Sequence, residues 1–349
     1  MVAKRSTIQD VADAAGVGKV TVSYILNGRA AEARISEATR DRVLAVAREL
    51  SYRPNALARS LVSRRTDVIA VVFQYAHFFN AGSTFINELM SAVCEECVRQ
   101  NLDVILHTRS FSELSQEAAA LLDGRADGVL MLRDSNDPLT ASIASLDFPA
   151  IAFFTRPAHP GLPFVDCDNF AGGEMATRHL IDKGHRRIGM ICGPSGSSAS
   201  VDRYAGYRSA LETAGIELDL NLVINPVSER NGTYVLNGPA QVVDMVRREA
   251  ASAIFCWSDD DAFASMRLLS ESGFHVPADV SVVGFDGSEA CSRCTPPLTS
   301  VRQPVAQIAT KAVQLLVERI GGKKVESDSH VFAPTLSERA SVATKALTS

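Results

Sequence analysis

The chain has 349 residues, 46% of them hydrophobic, enough for roughly two or three domains with a well-buried core. The opening MVAKRST lacks the apolar run of a secretory leader, Val68 to Phe73 is far too short to span a bilayer, and seven scattered cysteines do not make a disulfide framework; reduced thiols and the cytoplasm are expected. The net charge of −5 is unevenly spread: residues 1–65 hold 12 Lys and Arg against 6 Asp and Glu, the remainder 23 against 34, so only a basic head is suited to approach a polyanion.

Thr7 reads as the N-cap of a first helix, with Asp10 in the acceptor role of a capping box. Ile8, Val11, Ala12 and Ala15 share one face of that helix, and Gly16 ends it. A second helix follows, with Gly18 at its cap position and Val22, Ile25 and Leu26 turned inward. Helix, short glycine-containing turn and helix make a helix-turn-helix. The outward residues of the second helix are Lys19, Val20, Ser23 and Tyr24. In a major groove they would offer base edges a cation, an apolar contact, a hydroxyl and a phenol; otherwise they are a solvated face. Ser36 and Glu37 open a third helix to about Leu50, with Val43, Val46, Ala47 and Leu50 closing a small core.

From Tyr52 to Leu61, a first-turn proline precedes a run of good helix formers. The segment is shorter than the roughly 12 to 15 residues an isolated helix needs, so its order must come from elsewhere. Paired with a second copy on DNA it would form a hinge helix and place Ala58 and Leu61 in the minor groove; the alternative is an ordinary interdomain linker.

The ordered set Thr7-Ile8-Gln9-Asp10-Val11-Ala12, Ala15-Gly16-Val17, Thr21-Val22-Ser23, Leu26-Asn27-Gly28 and Tyr52-Arg53-Pro54-Asn55-Ala56-Leu57-Ala58-Arg59-Ser60-Leu61 closely resembles the DNA-binding head of lac-repressor-type (LacI/GalR) transcriptional regulators. The resemblance implies that Lys19, Val20 and Tyr24 read bases and that Leu61 wedges into the centre of an operator. Thr7, Thr21, Ser23, Asn27, Asn55 and Ala58 complete the expected DNA-facing set. Gly18 stands where the family usually has Ser, and Tyr24 where it often has Arg, which leaves the preferred base sequence open.

Beyond residue 63, β-branched runs alternate with amphipathic stretches. Asp67 to Phe73, Leu102 to His107, Gly128 to Leu132, Ala150 to Phe154, Arg187 to Cys192, Leu222 to Asn225, Ala253 to Cys256 and Val280 to Phe285 read as buried strands. Phe85 to Asn101, Gly172 to Lys183, Arg203 to Ala214 and Ala262 to Ser272 read as helices. Such alternation predicts an α/β body of two lobes with doubly wound parallel sheets and a ligand cleft at the strands' carboxyl ends.

The resemblance extends through Asp127-Gly128, Asp168-Asn169-Phe170-Ala171-Gly172-Gly173, Gly184-His185-Arg186-Arg187-Ile188-Gly189, Arg203-Tyr204-Ala205-Gly206-Tyr207, Val280-Ser281-Val282-Val283-Gly284-Phe285-Asp286 and Pro296-Pro297-Leu298-Thr299, similar to the family's periplasmic-binding-protein-like effector domain. It implies a head over 1–50, a hinge over 51–63 and a body over 64–345. Its first lobe would take about 66–165 and 297–330, its second about 166–290 and 331–345. It also implies Arg203 and Asp286 as polar anchors of an effector pocket, with Phe85 and Ile86 in its first-lobe wall. A carboxylate, a guanidinium and an aromatic face suit a sugar or sugar derivative. Trp257 is a candidate for that face or a half-buried packing residue, and Ser258 stands where Asn is common. Gly287 replaces a common second Asp.

Cys94/Cys97 and Cys291/Cys294 form two CxxC sequences, which raise a thiol or metal sensor as an alternative; control by a protein partner is another. No HExxH, phosphate loop or nucleophile-base pair is found, so neither catalytic residue, metal nor cofactor is expected. The expected protein is a repressor acting as a homodimer or tetramer on pseudo-palindromic double-stranded operator DNA, without membrane attachment.

Overall fold

The computed structural model describes residues 6–53, 65–74, 83–109, 111–225, 229–230, 233–234, 238–323 and 329–345. The expected hinge residues Asn55, Ala58 and Leu61 lie outside the described residues. The chain forms two compact units, Met1–Thr66 and Asp67–Ser349.

In the first unit, helices α1 (Ile8–Ala15), α2 (Lys19–Leu26) and α3 (Glu37–Glu49) surround Val11, Ala12, Ala15, Val22, Ile25, Val43 and Ala47. Both halves of the capping box form: the Thr7 hydroxyl accepts from the Asp10 amide at 3.3 Å, and the Thr7 amide donates to the Asp10 carboxylate at 2.7 Å. Gly16 leaves α1 at φ +63°, a left-handed turn that suits glycine. Gly18 occupies the α2 cap without a side-chain bond, whereas the Ser36 hydroxyl caps α3 through the Thr39 amide. Tyr52, assigned from sequence to the hinge, packs against this core and donates its amide to the Ala47 carbonyl at 2.8 Å. The helical head therefore extends past 50, because an aromatic ring closes its open end.

The second unit holds two six-stranded sheets among the described residues. The first contains β1 (Val68–Phe73), β2 (Asp103–His107), β3 (Gly128–Leu132), β4 (Ala150–Phe153), β5 (Phe164–Cys167) and β13 (His330–Phe332) in the order β13-β5-β4-β3-β1-β2, all parallel. The second contains β6 (Ile188–Ile191), β7 (Val223–Ile224), β10 (Ala253–Cys256), β11 (Ser281–Asp286), β12 (Thr299–Arg302) and β14 (Thr335–Ser337), ordered β14-β12-β11-β10-β6-β7 and parallel except for β14. A separate ribbon pairs β8 (Glu229–Arg230) with β9 (Thr233–Tyr234).

Helices α4 (Thr84–Gln100), α5 (Leu114–Leu121) and α6 (Pro138–Ala144) follow strands of the first sheet. Helices α7 (Asn169–Asp182), α8 (Ser198–Thr213), α9 (Gly238–Glu249) and α10 (Asp259–Glu271) belong to the second lobe, and α11 (Val305–Ile320) returns to the first. On α11, Val305, Ile308, Ala309, Ala312, Val313 and Leu316 bury into the same cluster as Ile69, Val71 and Leu89. Apolar helix stripes on buried strands thus give each lobe its own core.

The chain passes between sheets three times: from β5 to α7, from β12 to α11, and from β13 to β14. The second passage lies at Gln303 rather than near 297, because Thr299–Arg302 is hydrogen-bonded beside Ser281–Asp286 in the second sheet. The first lobe also reaches Phe332, whose strand pairs with Phe164–Cys167.

Candidate DNA-reading helix and ligand cleft

On α2, Lys19 and Val20 stand free of the head core, Val20 being 69% exposed. Thr21, Ser23 and Tyr24 are half-buried. The Arg29 guanidinium lies 5.3 Å from the centre of the Tyr24 ring, so the phenol has a cationic neighbour. Asn27, exposed, donates its side-chain amide to the Ser23 hydroxyl at 3.3 Å. Thr7 is exposed but its hydroxyl is engaged in the α1 cap. This stretch of α2 therefore presents an exposed cation and an apolar tip beside partly covered hydroxyls.

In the second unit, Arg203 projects from α8, where a close helix pair fixes the backbone. A Cβ on Gly173 would overlap the Arg203 carbonyl, and one on Gly206 the Phe170 carbonyl, so α7 and α8 approach backbone to backbone. The Arg203 side chain is only 3% exposed. Its Nε donates to the Asn169 side-chain oxygen at 2.9 Å, and an Nη donates to the Trp257 carbonyl. The guanidinium lies 3.5 Å from the centre of the Phe285 ring and 4.8 Å from that of Trp257. Asn169 is held in turn, its amide donating to the Asp166 carboxylate at 3.3 Å and to the Cys167 carbonyl at 3.0 Å.

Asp286 ends β11 at φ +120°, a conformation unfavourable for a side-chain-bearing residue and common at functional sites. Gln303 secures it twice: the side-chain amide donates to the Asp286 carboxylate at 2.8 Å and the backbone amide to its carbonyl at 3.1 Å. The departure at Gly287 has a steric cause, since φ is +70° and a Cβ there would overlap Arg302. Asp259, fully buried at the start of α10, accepts from the Ser300 hydroxyl at 2.6 Å, the Ser288 amide at 2.8 Å and the Cys291 thiol at 3.0 Å.

Electrostatically this is a guanidinium among buried carboxylates. Burial, then the charge of Asp259, pushes the Asp286 carboxyl well above the ordinary range, with Arg203 opposing. Burial pushes Asp166 up to about 7, against the Cys167 amide and Arg203. These groups gain from a ligand that supplies hydroxyl donors and acceptors in place of water.

The remaining expected residues separate. Phe85 meets Phe154 edge to face at 5.0 Å. Ile86, expected in the pocket wall, is 4% exposed and belongs to the first-lobe core, because it falls on the inward face of α4. Trp257 is half-buried, and a Cβ on Gly193 would overlap its indole, so the Gly193 turn seats that ring. Ser258 caps α10: its hydroxyl accepts from the Asp261 amide at 3.1 Å and donates to the Asp261 carboxylate at 2.8 Å.

Contacts between the lobes frame the cleft. The Thr84 hydroxyl donates to Asp260 at 3.1 Å, the Ser135 amide to the Gly196 carbonyl at 3.0 Å, and Arg156 pairs with Asp202 at 2.7 Å. Sequence reading missed Asn169, Gln303, Asp166 and Thr84 as parts of this site; only the Asp168-Asn169 motif pointed to one of them. The two CxxC pairs sit in different lobes, with Cys97 in the first-lobe core and Cys291 in the second. Burial raises the Cys97 thiol to about 12, which disfavours the thiolate that metal binding or redox chemistry needs. Among the described residues no His, Cys, Asp and Glu group could hold a metal ion.

Residues 7–55 match the bacterial regulatory proteins of the lacI family, and residues 177–342 a periplasmic binding protein-like domain. The HTH-type transcriptional regulator CelR of Thermobifida fusca is 37% identical over 330 residues, covering 93% of this chain and 94% of that protein. The chain belongs to the LacI family. The HTH-type transcriptional repressor PurR of Vibrio atlanticus (strain LGP32) is 32% identical over 343 residues, covering 97% and 99%. Among solved structures, a transcriptional regulator CelR-cellobiose complex aligns with TM-score 0.70 and 35% identity over 97% of this chain and 100% of that one. The lac repressor dimer bound to operator and the anti-inducer ONPF shares the fold, with TM-score 0.81 and 24% identity over 97% and 100% of the two chains. This LacI-family member is thus a transcriptional regulator with a helix-turn-helix DNA-binding domain and an effector-binding body, and its relatives are regulators rather than enzymes. No helix among its described residues is long and apolar enough to cross a membrane.

Proposed function

We propose that this protein is a cytoplasmic repressor that binds a pseudo-palindromic operator as a homodimer and responds to a small carbohydrate held between its lobes. In this reading Lys19, Val20 and Tyr24 face bases, with Thr7, Thr21, Ser23 and Asn27 around them. Two heads related by a two-fold axis meet two half-sites. In the cleft Arg203 and Asp286 bind ligand hydroxyls, while Trp257 and Phe85 offer apolar faces to a sugar ring.

The observation that carries the proposal is the buried pairing of Arg203 and Asp286 with residues of two different interlobe passages, Asn169 and Gln303. A ligand engaging both anchors pulls on both passages, so ligand binding and lobe geometry become one equilibrium. The cellobiose complex of the 35% identical CelR supports a glucoside as the first ligand to test.

Calorimetry of the full-length protein with cellobiose, other β-linked glucosides and a nucleobase panel, followed by operator binding with and without each compound, tests the reading. Saturable binding that changes operator affinity is expected, with cellobiose binding and its effect on operator affinity lost in Asp286→Ala. Silence across the sugars would remove the carbohydrate assignment and turn attention to a protein effector.

A further inference from the structure

A cavity of about 130 Å³ opens at the carboxyl ends of β1 and β2 in the first lobe, beside the N-terminal half of α5. Neither Arg203, Asp286 nor any residue hydrogen-bonded to them lines it. Roughly 10–15 Å³ of such space holds one water, so the cavity accommodates a small molecule. Gln74, His107, Arg109, Phe111, Glu117 and Arg133 carry its chemistry.

Two buried nitrogens of this lining, His107 Nε2 and Arg133 Nε, have no hydrogen-bond partner among the described residues. The rest of Arg133 is fixed: its Nη atoms donate to the Phe73 carbonyl at 3.1 Å, Glu117 at 3.3 Å and Asp137 at 3.0 Å, and its side chain is 10% exposed. Such a group cannot turn to find water, so its free donor awaits an acceptor brought from outside. His107 stacks on Phe111 at 5.9 Å.

The charges decide between an ion and a neutral guest. Arg133 is answered by Glu117 and Asp137, and Arg109 lies 3.7 Å from Asp123, which also pairs with Arg125. Burial, then Arg109, Arg125 and Arg133, hold His107 toward its neutral form. The cationic and anionic side chains therefore balance, and no counter-ion is called for. Planar side chains with both donors and acceptors, around one unfilled guanidinium donor and one unfilled imidazole nitrogen, are the surroundings that hydroxyl groups satisfy best.

We infer that this first-lobe cavity is a second ligand site, specific for a small neutral polyhydroxylated molecule of monosaccharide size, separate from the interlobe cleft. Its position gives it leverage. Arg133 is followed by Asp134, whose amide donates to Gln74 at 3.1 Å, and by Ser135, which bonds across to Gly196 of the second lobe. A guest on Arg133 and Gln74 therefore bears on an interlobe contact, and the site acts as a co-effector site.

The test uses full-length protein with isotope-labelled histidine side chains, D-glucose as the probe and inorganic phosphate as the contrast, in the natural sequence and in Asp286→Ala, whose cleft is disabled. The His107 signal is identified by its loss in His107→Gln. Glucose should shift it saturably in both proteins at up to about 50 mM, and Arg133→Lys should weaken that binding at least tenfold. Three results would overturn the inference: a His107 signal that glucose leaves unmoved, one that moves with phosphate instead, or one whose shift vanishes in Asp286→Ala. The last would assign the binding to the cleft. Because the Asp286→Ala arm does not depend on the cleft, failure there and failure of the carbohydrate-effector reading are separately visible.

Discussion

Tyr24 stands on α2 with Arg29 over its ring, so its hydroxyl is presented by a partly fixed side chain rather than a free one. Tyr24→Ala is expected to relax preference at one operator position by about 1 to 3 kcal/mol, with non-specific binding little changed. Selection of bound sequences from random DNA checks this; an unaltered consensus would remove Tyr24 from the readers. Asp166 supports a pH prediction. Its folded-state value of about 7 exceeds the ordinary 3.8, so between those limits the folded protein keeps a proton that the unfolded chain releases. The contribution of Asp166 is present below the lower limit and is lost as pH rises through the upper one, by about 1.4 kcal/mol per pH unit at most. Asp166→Asn should therefore flatten the fall in melting temperature from pH 4.5 to 7.5. An identical pH dependence in both proteins would show that Asp166 titrates normally.

At the level of elements, the close pair α7 and α8 is the most demanding packing near the cleft. Gly173→Ala places a methyl group against the Arg203 backbone, and over-packing of this kind costs about 1 to 3 kcal/mol. Lower thermal stability together with weaker effector binding is expected, since Arg203 must shift; a melting curve that matches the unsubstituted protein would mean the helices separate freely. The same elements show what could be read in advance. Apolar strands such as Val68–Phe73 and Ala253–Cys256 were legible, as were the caps of the head helices. Phe164–Cys167 and Thr299–Arg302 were not, because Asp166, Thr299 and Ser300 interrupt the apolar pattern and are buried through hydrogen bonds that only the tertiary structure supplies. Helices α7, α8 and α10 begin earlier than their apolar periods suggest. They are started by Asp168, Ser197 and Ser258 as caps, and in α10 the first turn is the acidic run Asp259-Asp260-Asp261.

For the molecule as a whole, motifs pointed to Arg203 and Asp286 as candidates, but not to the hydrogen bonds that hold them. Asn169 and Gln303 lie 134 positions apart and acquire meaning only because each occupies a passage between the sheets. This placement separates binding from response. Gln303→Leu keeps the apolar stem and removes the amide that holds Asp286, leaving the carboxyl to the ligand and the Asp259 amide, 3.4 Å away. A buried acceptor left without its donor costs about 1 to 3 kcal/mol, part of which an effector hydroxyl recovers. Effector affinity should therefore fall by no more than about tenfold, while the effector-dependent change in operator affinity, typically about 5- to 150-fold in coupled systems, should shrink toward unity. Calorimetry gives the first quantity and operator titration with saturating effector the second. If both decline in proportion, Gln303 supports the pocket alone and the passage carries no signal. If binding persists while the response disappears, the β12 to α11 passage is where ligand occupancy becomes lobe movement.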